Sequence, residues 1–287
     1  MITTKIHFTI DQLNTIKKFD FVSKKIHQTA IIHETAKIGE NVEIGPYTII
    51  EENVEIGNNT IIASHCYIYA NTQIGENNQI FSFVCLGGLP QDFSFDPSKK
   101  TYLKVGNNNI FREFVNIHRS TKVEIPTTIG DNNYFMGTVH LGHDCIVGNN
   151  NIFVQNCILA GHVHVGNKVL ISGHVAVHQF CRIGDYSIIG GLSKIVKDVP
   201  PYMMVDGNPA VVVGINVVGL RRNQFTEEQR RKIKNAYKIL YKKGLSYSNA
   251  LNELKQIYSD DPDIQRLINF VENSQRGILG ATTSENE

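Results

Sequence analysis

Six of the 11 histidines fall between His140 and His178. Their spacing says more than their number. His143, Gly161 and Gln179 lie 18 residues apart, and Asp144 lies 18 before His162. His140 precedes His143 by three. A histidine titrates near neutral pH and acts as a general base once a partner orients it. A glycine leaves its backbone N–H open to a substrate carbonyl, which suits oxyanion stabilisation. A glutamine adds a neutral donor and acceptor. If residues 18 apart share a face, this set suits acyl transfer from a thioester to a hydroxyl or an amine. Two other readings use the same histidines. They could be solvated side chains on an exposed face, or part of an interface between copies of the chain. His140 and His143 could also join a third histidine around zinc. No acidic ligand cluster stands beside them, so no metal is expected.

A repeat of six would place residues 18 apart on one face. Starting at Ile32, an aliphatic residue recurs at every sixth position through Ile38, Ile44 and Ile50 to Leu86. Gly87 to Lys104 breaks the register. Val105, Phe111 and Ile117 resume it, and from Ile129 it runs unbroken to Ile195. Neither the 3.6-residue period of a helix nor the two-residue period of a half-buried strand explains this. A period of six fits a short strand, a corner and a repeat, with three sides closing one triangular coil of 18 residues. The aliphatic side chain fills the interior, and Gly or Asn takes the corner, where positive φ is least costly. The expected fold is mainly β, a parallel β-helix over residues 26–200. The position two before each aliphatic is small and should point inward too. That makes Cys66, Cys145, Cys157 and Cys181 packing residues rather than nucleophiles.

The register breaks, near 87–104 and 118–128, should project as loops, the usual carriers of function on a rigid scaffold. The hexads stop after Asp198-Val-Pro-Pro201. Residues 201–280 then read as a C-terminal helical domain. Thr226-Glu-Glu-Gln229 is a capping box. Ile233, Ala236, Tyr237 and Leu240 follow at helical spacing up to Gly244. Two more helices are expected near Ser248–Tyr258 and Asp263–Ser274. Residues 1–25 form an N-terminal extension with a short helix near Asp11–Lys18, and 281–287 read as a disordered tail.

Composition narrows the class. The 287 residues carry 28 Lys+Arg against 27 Asp+Glu, which gives no reason to expect nucleic acid as a partner. No apolar run reaches the ~18 residues of a membrane span. The opening MITTKIHFTIDQLNTIKKFDF lacks the pattern of a secretory signal. Five cysteines without C-x-x-C spacing read as reduced thiols, so the expected compartment is the cytoplasm.

Several segments occur together and in order: Pro90-Gln-Asp92, Asn116-Ile-His-Arg119, His140-Leu-Gly-His-Asp-Cys145, Leu159-Ala-Gly-His-Val163, Ala176-Val-His-Gln-Phe180, Asp198-Val-Pro-Pro-Tyr202 and Gly207-Asn-Pro209. In this the chain resembles the acyl-[acyl-carrier-protein]–UDP-N-acetylglucosamine O-acyltransferases, hexapeptide-repeat enzymes that begin lipid A synthesis. The match runs from about Ile26 to Gly277. It implies a left-handed β-helix, a homotrimer with active sites between adjacent β-helices, and acyl carrier protein and a UDP-sugar as partners. It implies no cofactor, because the acyl group arrives on the carrier's phosphopantetheine. By match of motif, His143 would be the general base, Asp144 would orient it, and the Gly161 N–H would stabilise the oxyanion. His140, His162, Gln91 and Asp92 would contact the nucleotide sugar. His178 and Gln179 would line the region for acyl chain and pantetheine. Asn216 and Arg222 would hold the uridine diphosphate end, and Gly191 falls where the family controls acyl-chain length. The basic cluster Arg221, Arg222, Arg230, Arg231, Lys232 and Lys234 is either a solvated helix face or a landing surface for acidic acyl carrier protein.

The chain departs from the pattern in three places. Ser94 stands where the family often has Lys, Asn223 where a second Arg commonly follows Arg222, and the N-terminal extension is additional. Fewer cations near the sugar fit an acceptor that is itself cationic, a 3-amino sugar, since like charges repel. Three alternatives remain. One is the related N-acyltransferase of lipid A synthesis, whose start this chain's opening Phe8-Thr-Ile-Asp-Gln-Leu13 resembles, although that family carries a larger N-terminal uridine-binding domain and only about 25 residues precede the repeats here. The others are a zinc β-helix hydratase and a non-catalytic nucleotide-sugar-binding paralogue.

Overall fold

The computed structural model describes residues 26–282. The helix expected near Asp11–Lys18, and residues 283–287, lie outside the described residues. Strands run from β1 (Ile31–Ile32) to β27 (Ala210–Ile215), most of them two residues long. Through the coils, each strand pairs in parallel with the strand three later, so the chain winds a three-sided, left-handed β-helix. The sheets have nine, eight and ten strands. Register follows the 18-residue coil: Leu141 pairs with Leu159, and Val147 with Val165.

The hexad residues fill the interior. Ile50, Ile68, Leu86, Ile117, Leu141, Leu159 and Ile195 are fully buried, as are Cys145 and Cys157. Each such aliphatic contributes on the order of 1.5–3 kcal/mol. Phe111, Phe135 and Phe153 stack through the centre at 4.9 and 4.6 Å. The corners bear out the expectation for Asn but not for Gly. Positive φ falls on Asn and on several larger residues, such as Asn59 (56°), Asp144 (59°) and His162 (61°). The recurrent glycines do a different job. A Cβ on Gly57 would lie 2.6 Å from the Gly75 carbonyl carbon, so glycine is needed there for coil-to-coil approach.

Both register breaks project from the same edge. Loop 1 leaves β10 (Cys85–Gly88) and returns at β11 (Leu103–Val105). Loop 2 leaves β13 (Asn116–His118) and returns at β14 (Thr127–Ile129). In each case the chain passes from the nine-stranded to the eight-stranded sheet.

After the last coil the structure differs from the all-helical expectation. β26 (Met203–Gly207) and β27 form an antiparallel hairpin, and β26 adds in parallel to β24 (Ile188–Ile189), extending the ten-stranded sheet. The run Ala-Val-Val-Val-Gly-Ile suits a strand by its β-branched content. Four helices follow: α1 (Val217–Arg222), α2 (Glu227–Tyr241), α3 (Tyr247–Ile257) and α4 (Pro262–Glu272). Both halves of the Thr226–Gln229 capping box form. Ser246 and Asp261 cap the next two helices. The tail reading fails at its start: Ala281 bridges to Val212, and the Thr282 N–H bonds to the Val212 carbonyl.

Candidate active site

The corner between the nine- and eight-stranded sheets gathers the chemistry. β16 (His140–Leu141) turns through Gly142, His143 and Asp144 into β17 (Ile146–Val147). One coil later, β19 (Ile158–Leu159) turns through Gly161 and His162 into β20 (His164–Val165). The His162 N–H bonds to the His143 carbonyl, and the Phe180 N–H to the Gly161 carbonyl. The predicted column of His143, Gly161 and Gln179 is therefore real.

Asp144 and His143 form a dyad. Asp144 Oδ2 lies 2.7 Å from His143 Nδ1, and both side chains are largely buried. The bond to a carboxylate puts the proton on Nδ1 and leaves the Nε2 lone pair free, as a general base would need. That ring lies against Gly161: a Cβ there would sit 2.6 Å from Cε1 and 2.7 Å from Nε2. The Gly161 N–H has no hydrogen-bond partner among the described residues, so the residue that the ring lies against carries an open donor.

His162 also reaches Asp144, with Nε2 3.5 Å from Oδ2, and its ring meets His143 edge to face at 5.2 Å. Burial lowers the His162 and His140 pKa values, keeping both neutral near pH 7. For Asp144, burial pushes the pKa upward. Hydrogen bonds from His143 and Thr121 outweigh it and hold the carboxyl below its ordinary value. Asp92, on loop 1, accepts the N–H and hydroxyl of Ser94 at 2.9 and 2.8 Å. These bonds lower its pKa, with smaller contributions from His143 and His162. Gln91 stands exposed beside it. His178 and Gln179 are exposed on the next coil, His178 Nδ1 lying 3.1 Å from the Gln179 carbonyl.

His143, Asp144 and His162 present possible metal-ligand atoms within 4.8 Å of one another. Both Asp144 oxygens already accept hydrogen bonds, Oδ1 from the Thr121 N–H and Oδ2 from the Thr121 hydroxyl and His143. That donor set suits a carboxylate that orients an imidazole.

The sequence reading assigned no role to four residues here, two of which, His118 and Phe180, lie in segments that it singled out. Thr121 holds Asp144, and Thr127 Oγ1 accepts the Asp144 N–H at 2.8 Å. Phe180 stacks on His162 at 4.5 Å. His118 is buried edge-on to His140, with Nδ1 unpartnered. Counting 18 from His162 gives Phe180, but residues on an aperiodic loop carry no such signal.

Chain-wide comparison decides the family. An acyl-[acyl-carrier-protein]–UDP-N-acetylglucosamine O-acyltransferase of Paraburkholderia phymatum is 45% identical over 260 residues, covering 89% of this chain and 99% of that protein. The chain belongs to this acyltransferase family. Its residues 198–279 match the family described as Udp N-acetylglucosamine O-acyltransferase, domain 2, and residues 35–70 match bacterial transferase hexapeptide repeats. The Francisella novicida UDP-N-acetylglucosamine acyltransferase structure superposes with a TM-score of 0.88 at 41% identity, covering 90% of this chain and 95% of that one. The Moraxella catarrhalis UDP-N-acetylglucosamine O-acyltransferase structure gives 0.86 at 43% identity, covering 89% and 100%.

Other residues singled out through the family resemblance sit elsewhere on the chain. Gly191 is exposed on the corner between the ten- and nine-stranded sheets, with open space over its Cα save the Gly173 carbonyl at 3.5 Å. Asn216 caps α1, its Oδ1 accepting the Gly219 N–H and its Nδ2 donating to the Tyr186 carbonyl, on the third corner. Arg222 ends α1, exposed. Asn223, one of the departures, bonds the Gly219 carbonyl from the C-cap of the same helix. One chain thus spreads the family positions over three edges.

Proposed function

We propose that this chain catalyses acyl transfer from an acyl carrier protein thioester to the C3 position of UDP-N-acetylglucosamine, the opening step of lipid A synthesis, in the cytoplasm. One observation carries the mechanism: the ring of the His143–Asp144 dyad lies against Gly161, whose N–H is open. His143 Nε2 takes the proton of the C3 hydroxyl as that oxygen attacks the thioester carbonyl. The Gly161 N–H donates to the oxyanion. Collapse expels the pantetheine thiolate, which takes the proton back from the imidazolium. Asp144 remains a carboxylate throughout and steadies the imidazolium. Thioester-to-ester exchange is undemanding, so positioning and oxyanion stabilisation supply much of the rate. The reaction needs no cofactor beyond the carrier's pantetheine.

Three further roles belong to this reading. Asp92, Gln91, His140 and His162 hold the sugar, with His178 and Gln179 beside the acyl arm. Gly191, Asn216 and Arg222 join the site as parts of a homotrimer, which brings the edges of neighbouring β-helices together. The exposed Phe93 and Leu89 of loop 1 and Leu192 of another edge suit such burial. No helix among the described residues is long and apolar enough to cross a membrane.

Ser94 favours one variation. Its hydroxyl is turned onto Asp92, so it brings no cation to repel an amino acceptor. The test supplies hydroxyacyl carrier protein with UDP-N-acetylglucosamine and, separately, its 3-amino analogue. Mass spectrometry and alkaline lability distinguish ester from amide. Transfer to either sugar supports the reading, and the faster one names the acceptor. A trimeric enzyme that acylates neither refutes it.

A further inference from the structure

The dyad is held by a residue outside the repeats. Two histidines face one carboxylate oxygen: Asp144 Oδ2 lies 2.7 Å from His143 Nδ1 and 3.5 Å from His162 Nε2. Rotation about the Asp144 side chain would move that oxygen from one ring toward the other. Thr121 prevents it. Its N–H donates to Oδ1 at 3.0 Å and its hydroxyl to Oδ2 at 2.8 Å, so one residue fixes both oxygens. Loop 2, which carries Thr121, is itself anchored. The Tyr102 carbonyl accepts the N–H groups of Ser120 and Thr127, each at 3.1 Å, which ties both ends of loop 2 to the end of loop 1.

We propose that Thr121 is a positioning residue that sets Asp144 on His143 rather than His162, and so decides which of the two histidines is the base. This rests on the acyltransferase reading above. It also joins the Gln91–Asp92 loop to the dyad through Tyr102, Ser120 and Thr121. Thr121 is half-buried and touches Asp144 alone of the dyad, so its effect should fall on the chemical step and spare substrate affinity.

The experiment compares Thr121→Val, which keeps shape and N–H but loses the hydroxyl, with Thr121→Ser, which keeps the hydroxyl. A hydrogen bond to a charged group is worth a rate change of about tenfold or more. Thr121→Val should lower kcat by at least that factor, with KM for UDP-N-acetylglucosamine and for acyl carrier protein within about twofold. Thr121→Ser should stay within about threefold of the wild-type kcat. Thr121→Ala, read in parallel, should follow the valine variant and covers the case in which valine disturbs folding. Wild-type kcat in the valine or alanine variant overturns the inference. So does a serine variant as slow as valine, since the methyl group would then be what matters. Wild-type enzyme that transfers no acyl group refutes the acyltransferase reading instead, and the two failures are told apart by that control.

Discussion

Gly161→Ala tests the placement of the base without removing it. Its added Cβ would lie 2.6 Å from His143 Cε1 and 2.7 Å from Nε2. Carbon atoms rest at about 3.5 Å or beyond, so the ring must retreat by roughly 0.9 Å. The backbone cannot yield readily, because the His162 N–H, one residue on, is bonded to the His143 carbonyl. The ring therefore turns about its own side chain and lengthens the 2.7 Å bond to Asp144. A misplacement of about 1 Å at a reacting group costs on the order of 100-fold in rate. That is about 2.7 kcal/mol of barrier. Alanine keeps the backbone N–H, so the oxyanion donor survives and the loss belongs to the imidazole. The φ of Gly161 is not in the left-handed region, so the variant should fold. Steady-state kinetics should show kcat down about 100-fold with a melting temperature within a few degrees of wild type. A variant retaining a third or more of wild-type kcat would refute the idea that the ring is seated on Gly161.

Three other outcomes follow. Burial, reinforced by His140 and His143, lowers the His118 pKa to about 4 from 6.5. The unfolded chain binds that proton below pH 6.5 and the folded chain does not until about pH 4, so stability is lost as pH falls through this window. His118→Gln should remove on the order of 2 kcal/mol of that loss after allowance for solvent screening, read by urea denaturation at pH 7 and pH 4.5; an unchanged pH slope contradicts it. Burial pushes the Cys66, Cys145 and Cys157 thiols up to about 12 and Cys181 to about 11. These four should react with a thiol reagent only after unfolding, and labelling of any of them at free-thiol rates in the native protein would be contrary. The basic face resolves into a groove of about 510 Å³ lined by Arg231, Lys232, Lys234, Asn235, Lys238 and Tyr258. Lys232 is paired with Asp261 and Glu228, and Arg230 bonds the Phe225 carbonyl, so the test falls on Arg231 and Lys234. Charge reversal at both should raise KM for acyl carrier protein roughly tenfold with kcat nearly unchanged, and an unaltered KM returns the face to solvent.

The β-helix was legible because every sixth side chain must be buried, and burial leaves an apolar mark at Ile32 through Ile195. The coil length followed, and with it the column of His143, Gly161 and Gln179. The role of the glycines was less legible. Sequence suggests turns, whereas the closeness of successive coils decides at Gly57 and at Gly161. The hairpin of β26 and β27 was hidden behind a capping-box signal that begins only at Thr226. Thr121 left no trace, because a loop residue that bonds a carboxylate 23 positions away has no periodic neighbour. Gly191, Asn216 and Arg222 came from family resemblance alone, and their separation onto other corners explains why no spacing within one chain could have joined them to His143.

The most direct test of the central claim is a single-turnover assay, with enzyme in excess over labelled acyl carrier protein and saturating UDP-N-acetylglucosamine. It compares wild type, His143→Ala and His162→Ala. The account predicts that His143→Ala abolishes measurable transfer while still binding the nucleotide sugar, and that His162→Ala keeps a measurable fraction. Transfer by His143→Ala at a rate comparable to wild type, or loss confined to His162→Ala, would contradict the assignment of His143 as the base.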